Sequence, residues 1–371
     1  MTPNSISAGS HRTHLLSAKP GAVRTRLSLR VRLLPIALAA SFVIACGGGG
    51  EEAAAPSATP KADPNVLTAS KQVPASLATD DPAWAAAPIL SAQMEIIKGT
   101  KQTEAVVVEA QALYSETDVW FRFQWPDATQ DIGRPWQYDG TKWALSSRKS
   151  DRIGLLWPIG TVGRFEQRGC YAACHRDTAD ADKSTPIDDK AYMILPRPED
   201  KADNWQWTGE SSAPVNQVGD FWFAGVLSNP DSKSSAIRSD EGAGGTTNNA
   251  VAAPGVGPAK MQDPAKKPTY GASYITPADA IPLDITKFKA GDSVPRRFVT
   301  PWTGSKGDIK SSATYAAGKW TVVFNRKLDT GNADDVKFVP GQSYLFQIAV
   351  WNGDDHAEHT VAADVYTLTM K

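Results

Sequence analysis

Asp118-Val119-Trp120-Phe121-Arg122-Phe123-Gln124-Trp125 is the stretch that decides the fold class. Val119, Phe121, Phe123 and Trp125 alternate with Trp120, Arg122 and Gln124. That period of two puts four apolar side chains on one face of a strand, a pattern a helix does not produce. Ser115-Glu116-Thr117 precedes it as a turn, so residues 104–114 read as the partner strand of a hairpin. Outward from the hairpin, residues 92–98 form a short apolar run, and Arg152–Ile159 reads as a buried strand. Residues 219–227 crowd Phe221, Trp222 and Phe223 together in another. In residues 319–328 Trp320, Val322 and Phe324 share a face, and in Ser343–Trp351 Tyr344, Phe346, Ile348 and Val350 do the same. A last strand is expected over 361–370. With no long amphipathic helix after residue 45, the expectation is an all-β chain: a two-sheet β-sandwich with long loops and few short helices.

The folded region is expected over residues 80–371, opening where the turn Asp80-Asp81-Pro82 meets Trp84. Residues 228–280 lose periodicity and fill with Gly, Ala, Pro, Asn and Ser, and read as a loop insertion. Twelve tryptophans lie between Trp84 and Trp351. Most are expected in the core; exposed ones would instead stack on sugars or wall a flat apolar cofactor.

Residues 1–45 read as an export signal. They hold six basic residues and no acidic one, and the apolar run from Leu33 to Ala45 is too short to span a bilayer as a helix. Val43-Ile44-Ala45-Cys46 resembles a bacterial lipobox, which implies lipidation of Cys46; cleavage near Ala45 leaving a thiol is the alternative. Gly47 after the cysteine resembles lipoproteins sent on to the outer membrane. Residues 46–79, rich in Gly, Ala and Pro, are expected to be a flexible tether. Removing the signal leaves 33 basic against 40 acidic residues, an acidic balance that argues against nucleic-acid binding.

Gly169-Cys170-Tyr171-Ala172-Ala173-Cys174-His175 carries the chemistry. Two thiols and an adjoining imidazole suit covalent haem attachment, each thiol adding to a porphyrin vinyl group while the ring reaches the iron. The usual string is C-x-x-C-H, and this one has one more residue between the cysteines. A Cys170–Cys174 disulfide and a zinc site are the competing readings; the disulfide does not explain why histidine follows the second cysteine, and adjacent Cys174 and His175 are awkward partners on one tetrahedral zinc ion. For the second axial position the residues offer His359, His356 and Met193, with Lys306 and Lys310 more remote. No nucleophile elbow, zinc-protease string or phosphate loop occurs, so no catalytic site is expected.

Several segments, taken in order, resemble one family. They are Asp81-Pro82-Ala83-Trp84, Tyr138-Asp139-Gly140, Asp151 to Ile159, Gly169 to His175, Asp203-Asn204-Trp205-Gln206-Trp207, Gly318 to Arg326, and Val350-Trp351-Asn352-Gly353. Together they resemble the haem-binding domain of ethylbenzene dehydrogenase γ subunits and related cytochromes. The resemblance implies a sandwich fold akin to carbohydrate-binding modules and an electron-transfer role. Its best-known members hold haem b through Met and Lys as subunits of molybdenum enzymes; others carry C-x-x-x-C-H and resemble c-type cytochromes. By position, His359 falls where the family's axial lysine lies.

The expectation is a monohaem c-type cytochrome rather than an enzyme. One haem c would be attached at Cys170 and Cys174, with His175 as one iron ligand and His359, or alternatively Met193, as the other. The chain would be a periplasm-facing lipoprotein of the bacterial envelope, anchored through Cys46 and passing electrons between redox partner proteins. The alternatives are a carbohydrate- or ligand-binding sandwich without haem and an electron-transfer subunit of a molybdenum oxidoreductase.

Overall fold

The structure is a computed structural model that describes residues 63–97, 104–173, 194–226, 236–251, 257–266, 275–353 and 359–371. The strands in chain order are β1 (Val66–Lys71), β2 (Leu90–Ile96), β3 (Val107–Tyr114), β4 (Asp118–Pro126), β5 (Trp136–Tyr138), β6 (Trp143–Leu145) and β7 (Arg152–Ile159). There follow β8 (Lys201–Thr208), β9 (Gly219–Ala224), β10 (Ile237–Ser239), β11 (Gly245–Asn248), β12 (Lys260–Gln262), β13 (Ala280–Pro282) and β14 (Ser293–Val294). The last are β15 (Arg297–Thr300), β16 (Lys310–Ala316), β17 (Lys319–Lys327), β18 (Ser343–Trp351), β19 (Thr360–Ala362) and β20 (Tyr366–Met370). Among the described residues the one α-helix, Phe165–Arg168, is a single turn.

The hydrogen-bonded path β10-β9-β8-β7-β18-β19-β2-β3-β4-β17-β16 folds back on itself into a sandwich. It does so because two strands serve both layers. Ser343–Phe346 of β18 pair with β20, and Gln347–Trp351 of the same strand pair with β7. In β2, Leu90–Gln93 pair with β3, and Met94–Ile96 pair with β19. The front layer is thus β10-β9-β8-β7-β18-β19, and the back layer is β20-β1-β3-β4-β17-β16. Strands that change layer in this way make the corners of a sandwich.

The expected alternation holds. Val119, Phe121, Phe123 and Trp125 of β4 enter one core with Ile153, Leu155 and Trp157 of β7 and Phe346, Ile348 and Val350 of β18. Aromatic rings fill the space between the layers, with Trp157 stacked on Phe346 at 4.9 Å between centroids. Trp205 and Phe338 close the same cluster against Phe121. Ten of the twelve tryptophans are buried, and Trp222 and Trp351 are half-buried.

Three expectations are corrected. The tether expected over 46–79 ends earlier, because β1 lies within it and pairs parallel to both β20 and β3. Only Leu67 and Ala69 of β1 reach the core, too few apolar positions for the sequence pattern to stand out. The 228–280 insertion is not structureless: β10 extends the front layer, β11 pairs with β15 and β12 with β13. Strands of three or four residues carry too little alternation to be read. The final strand expected over 361–370 is two strands, β19 in the front layer and β20 in the back, separated by the bend at Ala363 and Asp364.

One ionic cluster lies inside the sandwich. Arg326 of β17 crosses from the back layer to Asp203 of β8 in the front, Nη1 to Oδ2 at 2.8 Å. Its guanidinium lies over the rings of Trp205 at 4.8 Å and Phe338 at 5.4 Å. Burial holds the Asp203 carboxyl above the usual carboxylate range, against the pull of Arg326.

Candidate functional site

The cysteine-bearing loop lies on the outer face of the front layer. Along β18, Phe346, Ile348 and Val350 point into the core. The intervening Gln347, Ala349 and Trp351 point outward, as strand geometry requires. Cys170, on a short 3-10 turn at Gly169–Ala172, packs into an outer apolar cluster with Ile97, Tyr171, Ala349 and Val361, and Trp351 packs against it. Cys170 is 3 % exposed. Tyr171 fixes the turn to the sheet: its hydroxyl donates to Glu95 of β2, and burial together with that carboxylate pushes its pKa up.

His359, immediately before β19, reaches the same outer face and is 5 % exposed. Its imidazole stacks on the Trp351 indole, centroids 4.5 Å apart and planes 26° from parallel. The indole has room because β7 carries Gly154 beneath it; a Cβ there would lie 3.3 Å from the Trp351 ring. The structure therefore brings Cys170 and His359 to one corner, with Trp351 touching the surroundings of the first and the ring of the second. Cys46, Cys174, His175, Met193 and His356 lie outside the described residues. Lys306 and Lys310 are not at this corner. Lys306 sits in the 3-10 turn at Ser305–Gly307, and Lys310 Nζ donates to Gly307 O from β16, at the edge of the back layer.

Gly169 sets the approach of the loop. Its φ is +51° with ψ at −126°, a combination that side chains avoid, and a Cβ would fall 2.5 Å from the Gln347 carboxamide. Gly160, at the start of the same connection, has φ +71° but nothing within 4 Å of a Cβ. Gly169→Ala is thus expected to lower thermal stability by more than Gly160→Ala, by about 1–3 kcal/mol beyond the shared backbone cost. Equal losses in thermal denaturation would show that Gln347 sets no limit. Gln347→Ala in the Gly169→Ala background should recover part of the difference.

A cleft of about 640 Å3 opens on the other side of these strands, with Val106, Val107, Trp125, Val350 and Thr360 among its walls. Thr360 and Val350 face it while their neighbours His359 and Trp351 face outward, so a whole sheet separates this cleft from Cys170.

At the outer corner the donor chemistry fits a haem. A loop thiol and a sheet imidazole share one face, an indole lies flat beside the imidazole, and aliphatic side chains surround them. The sequence supplied Cys170 and, through family position, His359. It did not supply Trp351, Gly154 or Gly169 as the residues that shape the corner, because their roles arise from neighbours across strands.

Two layers joined by shared corner strands, with a cysteine loop closed over one outer face, define a β-sandwich of the kind the alternation predicts. The chain belongs to the ethylbenzene dehydrogenase family, whose profile matches residues 81–362. It matches no curated protein. Among solved structures, it is similar to a family 9 carbohydrate-binding module from Caldicellulosiruptor kristjanssonii in complex with glucose, at TM-score 0.32 and 8 % identity, covering 82 % of this chain and 95 % of that one. It is likewise similar to a module of the same family and organism in complex with cellotriose, at TM-score 0.30 and 8 % identity, over 82 % and 93 % of the two chains.

Proposed function

We propose that this chain is a c-type cytochrome: an electron carrier of the bacterial envelope, lipid-anchored through Cys46, with one haem attached at Cys170 and Cys174. The observation that carries the reading is the shared corner. Cys170 lies in the apolar cluster against which Trp351 packs, and Trp351 stacks on His359. The haem supplies reversible one-electron chemistry when bound. The chain's own residues attach it, orient its ligands and keep water away. The Cys170 and Cys174 thiols would hold the haem through thioether bonds to its two vinyl groups. His175, which follows the attachment string directly, would bind the haem iron. His359, its ring plane held by the Trp351 indole, would supply the second iron ligand, with Met193 as its rival. Ile97, Ala349 and Val361 make the surroundings apolar, which raises the energetic weight of any charge change there.

The family relation supports a second setting for the same role, as the electron-transfer subunit of a molybdenum oxidoreductase. In either setting the chain passes electrons and leaves substrate chemistry to its partner. A sugar-binding sandwich without haem is not favoured by the tryptophans, since ten of twelve are buried and the Trp222 ring is flanked by Lys201 and Arg238.

The test is a reduced pyridine haemochrome spectrum of mature protein, made with the cytochrome maturation machinery and then extracted with acid acetone. A c-type α band that survives extraction, altered in Cys170→Ala, is the expected result. His359→Ala should shift the Soret and α bands of the native reduced protein while leaving the haem attached. Haem that extracts freely would replace the c-type reading with a b-type one. Protein devoid of haem would sink the cytochrome and return the sandwich to ligand binding.

A further inference from the structure

The ionic cluster between the layers holds more negative charge than its one arginine answers. One carboxylate oxygen each from Asp203 of β8, Asp220 of β9 and Asp335 of the β17–β18 connection lies within 4.8 Å of the others. Asp335 belongs to a second such group with Asp240, just after β10, and Asp334. Asp203 and Asp220 are wholly buried, Asp240 and Asp335 are 4–5 % exposed, and Asp334 is half-buried. Arg326 reaches two of the five, Asp203 at 2.8 Å and Asp335 at 3.9 Å.

The hydrogen-bond donors do not close the account. Asp203 Oδ2 accepts from Arg326 and from the Val336 amide, and Asp335 Oδ2 accepts from Thr330 and Asn332. Six buried oxygens find no donor among the described residues: Asp203 Oδ1, Asp335 Oδ1, and both oxygens of Asp220 and of Asp240. Asp220 is the telling one, a side chain with no exposure, aimed at two other carboxylates and bonded to no donor. Buried carboxylates in that state must either hold protons or face a cation.

We propose that these aspartates form a divalent-cation site matched to Ca2+, which ties β8, β9 and the β17–β18 connection together inside the sandwich. The donors are oxygens only, with no histidine or cysteine among them, which suits a hard cation and not zinc or copper. Ca2+ takes six to eight oxygens at about 2.3–2.6 Å, and carboxylate oxygens within 4.8 Å of one another are close enough to share one such ion. Mg2+ binds at about 2.0–2.1 Å and keeps several waters, for which a site this buried leaves little room. The proposal is independent of the haem reading.

The competing account is proton sharing, since Asp203 and Asp220 lie near enough for one carboxyl to donate to the other. Calcium titration separates the two. Mature protein stripped with EDTA at neutral pH is followed by scanning calorimetry during addition of CaCl2 and, separately, MgCl2, and its metal content is measured after desalting. The expected result is a saturable rise in Tm with Ca2+, retained calcium, and loss of both in Asp220→Asn. Should that variant fail to fold, Asp334→Asn, at the half-buried edge, decides instead, and is expected to weaken calcium binding about tenfold or more. A Tm indifferent to both ions with no retained metal overturns the site, as does undiminished calcium retention in the variants. A response to Mg2+ alone overturns the assignment to Ca2+.

Discussion

Replacing Arg326 with methionine is expected to lower the unfolding free energy by about 3–5 kcal/mol, measured by urea denaturation in EDTA. The guanidinium is fully buried between aromatic rings and is the cation set among the core aspartates. Methionine keeps much of the volume but leaves Asp203 without its partner, and breaking a buried pair from one side costs about that much. The loss has a pH direction. Burial already holds the Asp203 carboxyl above its unfolded value, and removing the arginine raises it further. A carboxyl whose folded pKa is raised binds its proton more tightly in the native state. The stability this gives is fully present below the unfolded pKa and is lost as pH rises through the folded one. The variant should therefore be less impaired in mild acid than at alkaline pH. A loss under about 1 kcal/mol at neutral pH would show that the cluster does not depend on Arg326.

The second large effect is expected at Asp151, the first residue of the segment that leads into β7. Its carboxylate is buried and accepts three N–H groups: Asp131 N at 2.7 Å and Trp320 Nε1 at 2.9 Å on Oδ2, and Gly353 N at 2.9 Å on Oδ1. It thereby joins the start of β7, the back-layer strand β17 and the turn after β18. Asp151→Ala strands three donors, at about 1–3 kcal/mol each before relaxation, so a total near 3–5 kcal/mol is expected in calorimetry or urea denaturation. Asn at the same position can satisfy two of the three donors with its carbonyl oxygen, but must set its amide against the third. It should fall between Ala and the native residue. If Asn and Ala prove equally damaging, charge rather than hydrogen-bond geometry is what Asp151 supplies.

How far these features can be read from the sequence alone depends on their range along the chain. The β4 face of Val119, Phe121, Phe123 and Trp125 is visible because strand period and burial coincide over four positions. The same holds for β17 and β18. β1 escapes detection because Leu67 and Ala69 sit between Ala- and Pro-rich segments that dilute any alternation. The Cys170 turn announces itself by spacing, and His359 by its position within the family. The Trp351–His359 stack over Gly154 does not, since it is assembled from β7, β18 and the approach to β19. The aspartates at 203, 220, 240, 334 and 335 look like ordinary surface charges one at a time. Only the pairing of β8 with β9, and the return of the β17–β18 connection, turns them into a buried group.

The corner strands have one more implication, which concerns the order of assembly. β18, β20, β1, β3, β2 and β19 form a closed circuit of hydrogen bonds, and its seam is the parallel pairing of Val66 with Thr367. The two sides of that seam lie some three hundred residues apart, so closure must wait until nearly all of the domain has emerged and the intervening loops have been gathered in. Until then β1 and β20 each present an unfilled edge, the kind of surface that recruits strands from neighbouring molecules. The interval before the seam closes is thus the time of greatest exposure to aggregation, and a chaperone that shields open strand edges is the assistance this topology calls for.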